Sequence, residues 1–360
     1  MAIITYKCPN CGGDLKFEPD IGKYKCEFCD SVFTQEELDK IAEVASANEQ
    51  KVDAAEVKPE EPSEEGENGE VLIYNCPSCG AEIVTDATTA ATFCFYCHNP
   101  VILTGRLSGD FLPKHIVPFE INKDEAVSRF LKWTSSKKFI PKDFFSKAQI
   151  EKLSGVYFPY WIMDEDVEAF ASGAAFKVRV FRAGDIETTE TSEYRITRKG
   201  KIHFEDLSKN ALKKADHKLI EGVLPYDTRN MKDFSMGYLS GFQAEKRDIE
   251  QEELQQAMDE ETRKYAEIVL KDTVSDEYSS VRFNDMKIDP IHADWEYAFL
   301  PVWTVTYQNK KDDKIYYYAM NGQNGEVYGE LPIDRLRLFL LFLMVAVPVL
   351  LIALLGVWFL

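Results

Sequence analysis

Apolar and polar positions recur with different periods along the chain, and each period predicts a different element. Residues 156–162 (VYFPYWI), 176–182 (FKVRVFR) and 192–198 (SEYRITR) are rich in β-branched and aromatic residues. The last of these alternates apolar with polar, which predicts an antiparallel sheet with one solvated face. A second aromatic pair, residues 299–307 (FLPVWTVTY) and 314–320 (KIYYYAM), is joined through the polar 309–313 and followed by the turn-rich 321–329 (NGQNGEVYG). FPYW at 158–161 is echoed by LPVW at 300–303, a hint of internal duplication. Helical spacing is found elsewhere. Asn122 with Glu125 three residues on resembles a capping box opening a helix through Phe130 and Trp133. Residues 147–153 closed by Gly155, and the charged amphipathic run 247–271, predict two more.

Two segments break this pattern. Gln35 to about Val57 keeps Leu38, Ile41, Val44 and Ala45 at helical spacing and then gives way to KPEEPSEEGENG, a solvated linker. At the other end, Leu338–Leu360 is uncharged throughout. As a helix it would measure roughly 35 Å, which predicts a transmembrane span. Arg335 and Arg337 at its near edge, with no basic residue beyond, predict a single-pass protein of the cell membrane with residues 1–337 in the cytosol. The expected organisation is therefore a zinc ribbon at 1–34, an acidic helical or disordered linker at 35–70, a second ribbon at 71–107, an α+β domain with mainly antiparallel sheet at 108–332, and a C-terminal transmembrane helix at 338–360.

Composition changes this picture in two ways. With 360 residues and 45% of them hydrophobic, the chain has ample material for a packed core. Its formal charge of −19 opposes attraction to polyanions such as nucleic acid or an anionic lipid surface. About half of that excess lies in residues 35–70, where thirteen acids face three bases.

The candidate chemistry lies in the cysteines. Cys8 and Cys11 are followed by Cys26 and Cys29, and Cys76 and Cys79 by Cys94 and Cys97, every cysteine of the second set displaced by 68 positions from the first. The surrounding residues repeat too: YKCPNCG becomes YNCPSCG. A two-residue gap lets both sulfurs of a knuckle face one ion, and Gly12 or Gly80 permits the turn behind them. Nothing apolar at the N-terminus directs the chain to an oxidising compartment, so reduced thiolates are expected. Eight thiolates predict two structural zinc ions, one per ribbon, each supplying folding energy that about thirty-five residues cannot find in a core. Iron in a rubredoxin-like site is the competing reading, since the ligand set is the same. His98 is expected on the surface rather than in the ligand set.

No phosphate-binding loop, metalloprotease motif, nucleophile elbow or dinucleotide fingerprint is present. His115, His203, His217 and His292 are scattered, and Asp164 to Asp166 reads as a solvated turn. Tyr316 to Tyr318 reads as core and sheet surface. Residues 1–34 carry four lysines against five acids and residues 71–107 only Arg106 against two, so neither ribbon has a basic face for phosphates. The aromatic residues at 93, 95 and 96 are read as miniature core or as a docking face.

Taken in order, the two ribbons, the acidic spacer, the paired aromatic strands, the NGQNGEVYGE segment and the terminal helix resemble the membrane-anchored TFIIB-type zinc-ribbon proteins of Gram-positive bacteria, sometimes labelled superfamily II helicase or primosomal protein. The absence of a nucleotide-binding loop is at odds with those labels. The resemblance implies that some members stand beside phage-shock protein A and help hold a membrane-stress complex at the membrane. The expected function is a non-enzymatic, membrane-tethered adaptor that docks cytosolic or membrane proteins and meets the bilayer through its last helix. A tethered nucleic-acid-binding ribbon protein is the alternative.

Overall fold

The computed structural model describes residues 3–4, 6–38, 40–41, 72–76, 82–94, 100–103, 106–137, 139–140, 153–215, 217–308 and 315–359. The described chain is mostly β-sheet and forms two units. Unit 1 takes 1–159, 214–246 and 299–360, and unit 2 takes 160–213 and 247–298.

In unit 1, the strands β2 (Leu15–Glu18), β3 (Lys23–Cys26) and β4 (Val32–Phe33) make the antiparallel sheet of the first ribbon. Strands β5 (Leu72–Asn75) and β6 (Glu82–Thr85) form a hairpin, as do β7 (Thr89–Phe93) and β8 (Pro100–Leu103). Strand β1 (Ile3–Ile4), at the start of the first ribbon segment, pairs antiparallel with β8 of the second. Phe17 N–H donates to the Ser240 carbonyl, and the Ser240 hydroxyl donates to the Leu15 carbonyl. Asn122 also reaches Asp20 at 2.6 Å. A short pair, β9 (His115–Ile116) with β12 (Lys232–Asp233), lies nearby in sequence order, and helix α1 (Lys123–Ser135) begins where the capping pattern places it: the Asn122 side chain accepts from Glu125 N–H at 2.8 Å.

The core of unit 1 is aromatic. Phe119 stacks on Phe242 with centroids 4.2 Å apart and meets Tyr157 and Trp303 edge-on at 5.0 and 5.1 Å. The polar ends of these rings are satisfied, since Trp303 Nε1 donates to the Ile121 carbonyl and the Tyr157 hydroxyl accepts from Phe119 N–H. Strand β13 (Gln243–Glu245) bridges β7 to the start of β10 (Ser154–Ala183). The end of β14 (Ser280–Gln308) pairs with β15 (Ile315–Asn321), which pairs with β16 (Val327–Gly329). The turn-rich 321–329 is held by Asn321, whose side chain donates to Val223 and Pro225 carbonyls near the short helix α2 (His217–Glu221).

Unit 2 is built on the antiparallel ladder between β10 and β11 (Ile186–Asn210), paired from Tyr160↔Asn210 to Ala183↔Ile186. Helix α3 (Gln251–Asp272) lays Met258, Thr262, Ala266 and Leu270, a stripe at four-residue spacing, on one face of it. Ala169, Ala171 and Ala175 on β10 are small enough to let the helix approach, and Ile196, Ile202, Phe204, Phe283 and Ile288 fill the flanks. Glu250 caps α3 in a capping box with Glu253, and the Arg247 guanidinium beside it lies over the Trp161 and Tyr297 rings at 5.0 and 5.5 Å.

Three expectations are corrected. The α+β character expected of 108–332 gives way to a fold that is mostly β-sheet. The runs 156–162 and 176–182 are one strand, because the extended backbone continues through Pro159, Asp164–Asp166 and Gly173; a bulge between Met163 and Glu165 absorbs the acidic cluster read as a turn. Finally, among the described residues no helix is long and apolar enough to cross a membrane. Helix α4 (Arg335–Phe359) carries the terminal apolar run. This overturns the anchor expected at 338–360, and with it the single-pass membrane placement. The helix expected at 147–153 and most of the acidic linker fall outside the described residues.

Replacing Leu270 by Ala removes the last rung of the helix stripe from a site that cannot collapse onto it. Urea unfolding of the variant, followed by far-UV circular dichroism, is expected to show a loss of about 2–4 kcal/mol.

Candidate metal centre

The first ribbon gathers its four sulfurs by two matching turns. In one, Gly12 N–H donates to the Cys8 carbonyl at 2.9 Å and Cys8 N–H to the Gly13 carbonyl; in the other, Asp30 N–H donates to the Cys26 carbonyl at 3.0 Å and Cys26 N–H to the Ser31 carbonyl. Both turns need a residue in the left-handed region: Gly12 has φ 74° and Asp30 φ 56°. The glycine was legible as a turn former, whereas Asp30 is the position that sequence reading missed; a short polar side chain is the usual substitute for glycine there.

The β2–β3 hairpin, with Leu15 opposite Cys26, brings the two turns together. Cys8 Sγ lies 3.6 Å from Cys29 Sγ, Cys11 Sγ lies 3.5 Å from Cys26 Sγ, and all four sulfurs fall within 4.8 Å of one another. Disulfides would need about 2.05 Å. A tetrahedral ion with sulfur ligands at about 2.3 Å would set the sulfurs about 3.8 Å apart, so Cys8, Cys11, Cys26 and Cys29 are positioned to hold a metal ion. Cys8 and Cys26 are buried and Cys11 and Cys29 exposed, which puts the site at the ribbon tip.

Four adjacent thiols cannot all ionise without a cation. Hydrogen bonds from the Ser31 hydroxyl and amide hold the Cys29 thiol down to about 6. The Gly13 amide also favours the Cys11 thiolate, yet the surrounding Cys29 and Cys26 thiols outweigh it and push Cys11 up to about 12. One thiolate is thus ready at neutral pH, and a bound cation would draw the remaining protons off.

Of the second set, Cys76 and Cys94 are buried together with Ile83, Val101 and Leu103. They follow the last rung of one hairpin, Asn75↔Glu82, and the first of the other, Phe93↔Pro100. Cys79, Cys97 and His98 lie outside the described residues. Near this hairpin, Asp86 accepts from the amides and hydroxyls of Thr88 and Thr89 and from Lys214 at 2.8 Å. Burial would raise the Asp86 carboxyl, but Lys214, Thr89 and Thr88 together hold it well below the usual carboxylate range.

The remaining polar candidates stay apart. His203 meets Asp166 at 2.9 Å on the exposed face of unit 2, His292 meets Asp294, and His115 meets Asp233. Glu165, the middle of the acidic cluster, is instead buried and accepts from the Thr262 hydroxyl at 2.7 Å; burial pushes its carboxyl up. A cavity of about 680 Å³ in unit 1 is walled by Phe17, Phe242 and Trp303, with Lys16, Glu18, Lys123 and the Cys94 thiol as its ionisable groups. Lys16 is already paired to Glu27.

Cys26→Ser removes a buried ligand from the first site. The purified variant is expected to lose one equivalent of bound metal by elemental analysis. Asp86→Asn is expected to cost about 1 kcal/mol at neutral pH, the scale of a lost cap in a partly solvated site. Because the folded carboxyl is depressed, that contribution is complete above the unfolded value of about 3.9 and is lost as pH falls through the folded value, so parent and variant should converge in denaturant titrations well below pH 4.

No family model matches the chain, and no solved structure matches it. The uncharacterized protein YdjG of Bacillus subtilis (strain 168) is 33% identical over 333 residues, which cover 92% of this chain and 91% of that protein. An alignment of that identity running nearly end to end on both sides places the chain in the same family as YdjG.

Proposed function

We propose that this protein is a non-enzymatic adaptor whose cysteine ribbons, each closed by a structural zinc ion, present a docking surface to partner proteins. The observation that carries the reading is Phe28. It sits between Cys26 and Cys29 at the metal turn and is 75% exposed, although its ring edge covers Gly13. Ile21 and Val32 are also exposed on the same small ribbon. Apolar side chains held out from a rigid, metal-closed turn suit a protein interface better than chemistry, since four thiolates leave the ion no open position for water or substrate.

Zinc rather than iron suits a ribbon that has only to hold a shape. A second zinc is proposed at Cys76, Cys79, Cys94 and Cys97, supported by the repeated spacing and the shared burial of Cys76 and Cys94. Nucleic acid is the weaker reading, because three of the first ribbon's four lysines are spent in ion pairs: Lys7 with Asp14, Lys16 with Glu27 and Lys25 with Asp30. The resemblance to ribbon proteins that stand beside phage-shock protein A makes a complex of that kind the first partner to test.

In-cell crosslinking of the full chain, followed by partner identification, tests this reading. Phe28→Asp is expected to keep its metal and lose a crosslinked partner. A crosslinking profile that neither Phe28→Asp nor Cys26→Ser alters would refute it.

A further inference from the structure

Strand β11 pairs with β10 on one side and with no other described strand. The phase of its free edge can be read from β10. Ser279 N–H donates to the Phe176 carbonyl at 2.7 Å, and Val178 N–H donates to the Ser279 hydroxyl at 3.1 Å, so the backbone groups of Phe176 and Val178 point away from β11. In an antiparallel ladder such residues face non-hydrogen-bonded partners, whose own N–H and C=O point outward. The register runs unbroken from Val178↔Thr191 to Asp166↔His203, which turns the backbone groups of Lys199, Lys201 and His203 toward the outer edge. One end of this run is closed: Arg198 donates to the Thr197 carbonyl at 3.0 Å and binds Thr273 at the end of α3. Past Phe204 the register shifts and Asp206 enters the left-handed region, its amide held by Asp164.

The two faces of this short edge differ. Gly200, Ile202 and Phe204 lie on the α3 side, where a Cβ added at Gly200 would meet nothing within 4 Å. Tyr265 touches Phe204 and Thr273 touches Arg198, so Val269, one helical turn from each, overhangs the space between; Tyr265 is 42% and Val269 39% exposed. On the opposite face stand Lys199, Lys201 and His203. From Arg195 to His203 the strand carries four Arg or Lys residues and no acid, in a chain of net charge −19.

We propose that this edge accepts a strand from a partner protein, an extended segment in which acidic residues alternate with apolar ones. Its main chain would complete the outward N–H and C=O groups of Lys199, Lys201 and His203, its acids would stand opposite the cations, and its apolar residues would fill the notch beneath Tyr265 and Val269. Glu168 and Asp166 on β10, one strand further in, pair with Lys199 and His203, and Glu205 on β11 itself lies 3.5 Å from His203 at the end of the row. A guest strand would lie about 4.8 Å from β11 and about 10 Å from β10, the latter already a Debye length at 0.1 M salt, so the cationic row dominates. The same row repels the β11 edge of a second copy. This surface belongs to unit 2 and needs no metal, so it stands or falls apart from the ribbon reading.

The test uses the full chain and a fluorescent synthetic peptide of alternating Glu and Val. Saturable binding by anisotropy is expected, with slowed hydrogen exchange at the amides of residues 199–203. The double variant Lys199→Glu/Lys201→Glu is expected to weaken binding by about ten-fold or more. Lys201→Pro, which deletes an outward N–H and no ladder bond, should weaken it as well. A peptide of the same charge with alternate amides N-methylated should not bind. The proposal is overturned if the Glu/Val peptide fails to bind, if the N-methylated peptide binds equally, if single-stranded oligonucleotide protects the same amides in its place, or if the free chain already dimerises through β11.

Discussion

Every N–H and C=O of a strand must find a partner, and for the thirty residues of β10 that demand shapes most of what surrounds it. Its first residues pair in parallel with β13 at Val156↔Gln243, and from Tyr160 onward it pairs antiparallel with β11 for the whole length of unit 2. The chain therefore leaves unit 1 at residue 159 and returns at residue 214, with the hairpin of β10 and β11 between. Each unit is discontinuous in sequence because two strands, β10 and β14, serve both.

A strand this long cannot be uniform. Where α3 lies over it, β10 presents alanines, which let the helix descend, and Gly173, where a Cβ would run into the Arg282 carbonyl of β14. Where it carries acids it bulges, and the bulge separates two fates: Asp164 and Asp166 bind groups on β11, while Glu165 turns under the helix to Thr262. The cost of burying that carboxyl is met locally by one hydroxyl and by a pKa raised toward the neutral form.

The first metal site was legible in the sequence because its chemistry is local: two-residue gaps and a following glycine dictate a turn whatever lies beyond. Asp30 was not legible, since its left-handed backbone is imposed by the turn and no glycine marks it. The cap at Asn122 could be read from a few residues, and the helix observed at Gln251–Asp272 was legible as the amphipathic run 247–271. Strand length could not. Pro159, Gly173 and the acids at 164–166 are all residues that end strands in isolation, and only the tertiary pairing of β10 with its neighbours carries the extended backbone through them.

Overall charge and local charge act over different distances here. A net −19 keeps copies of the chain apart and disfavours acidic partners while they are distant, but at physiological ionic strength that field decays over about 8 Å. Within that range the particular row of side chains decides. On the first ribbon the lysines are consumed by neighbouring acids, leaving Phe28 and its apolar companions as the distinctive surface. On the outer edge of β11 no acid interrupts the run from Arg195 to His203, and the backbone groups of its odd-numbered residues face outward. The two surfaces therefore ask for different partners: one for a complementary apolar patch held against a rigid turn, the other for a chain able to extend and match a ladder. If both proposals hold, the protein distinguishes partners by shape at one surface and by charge and backbone pairing at the other.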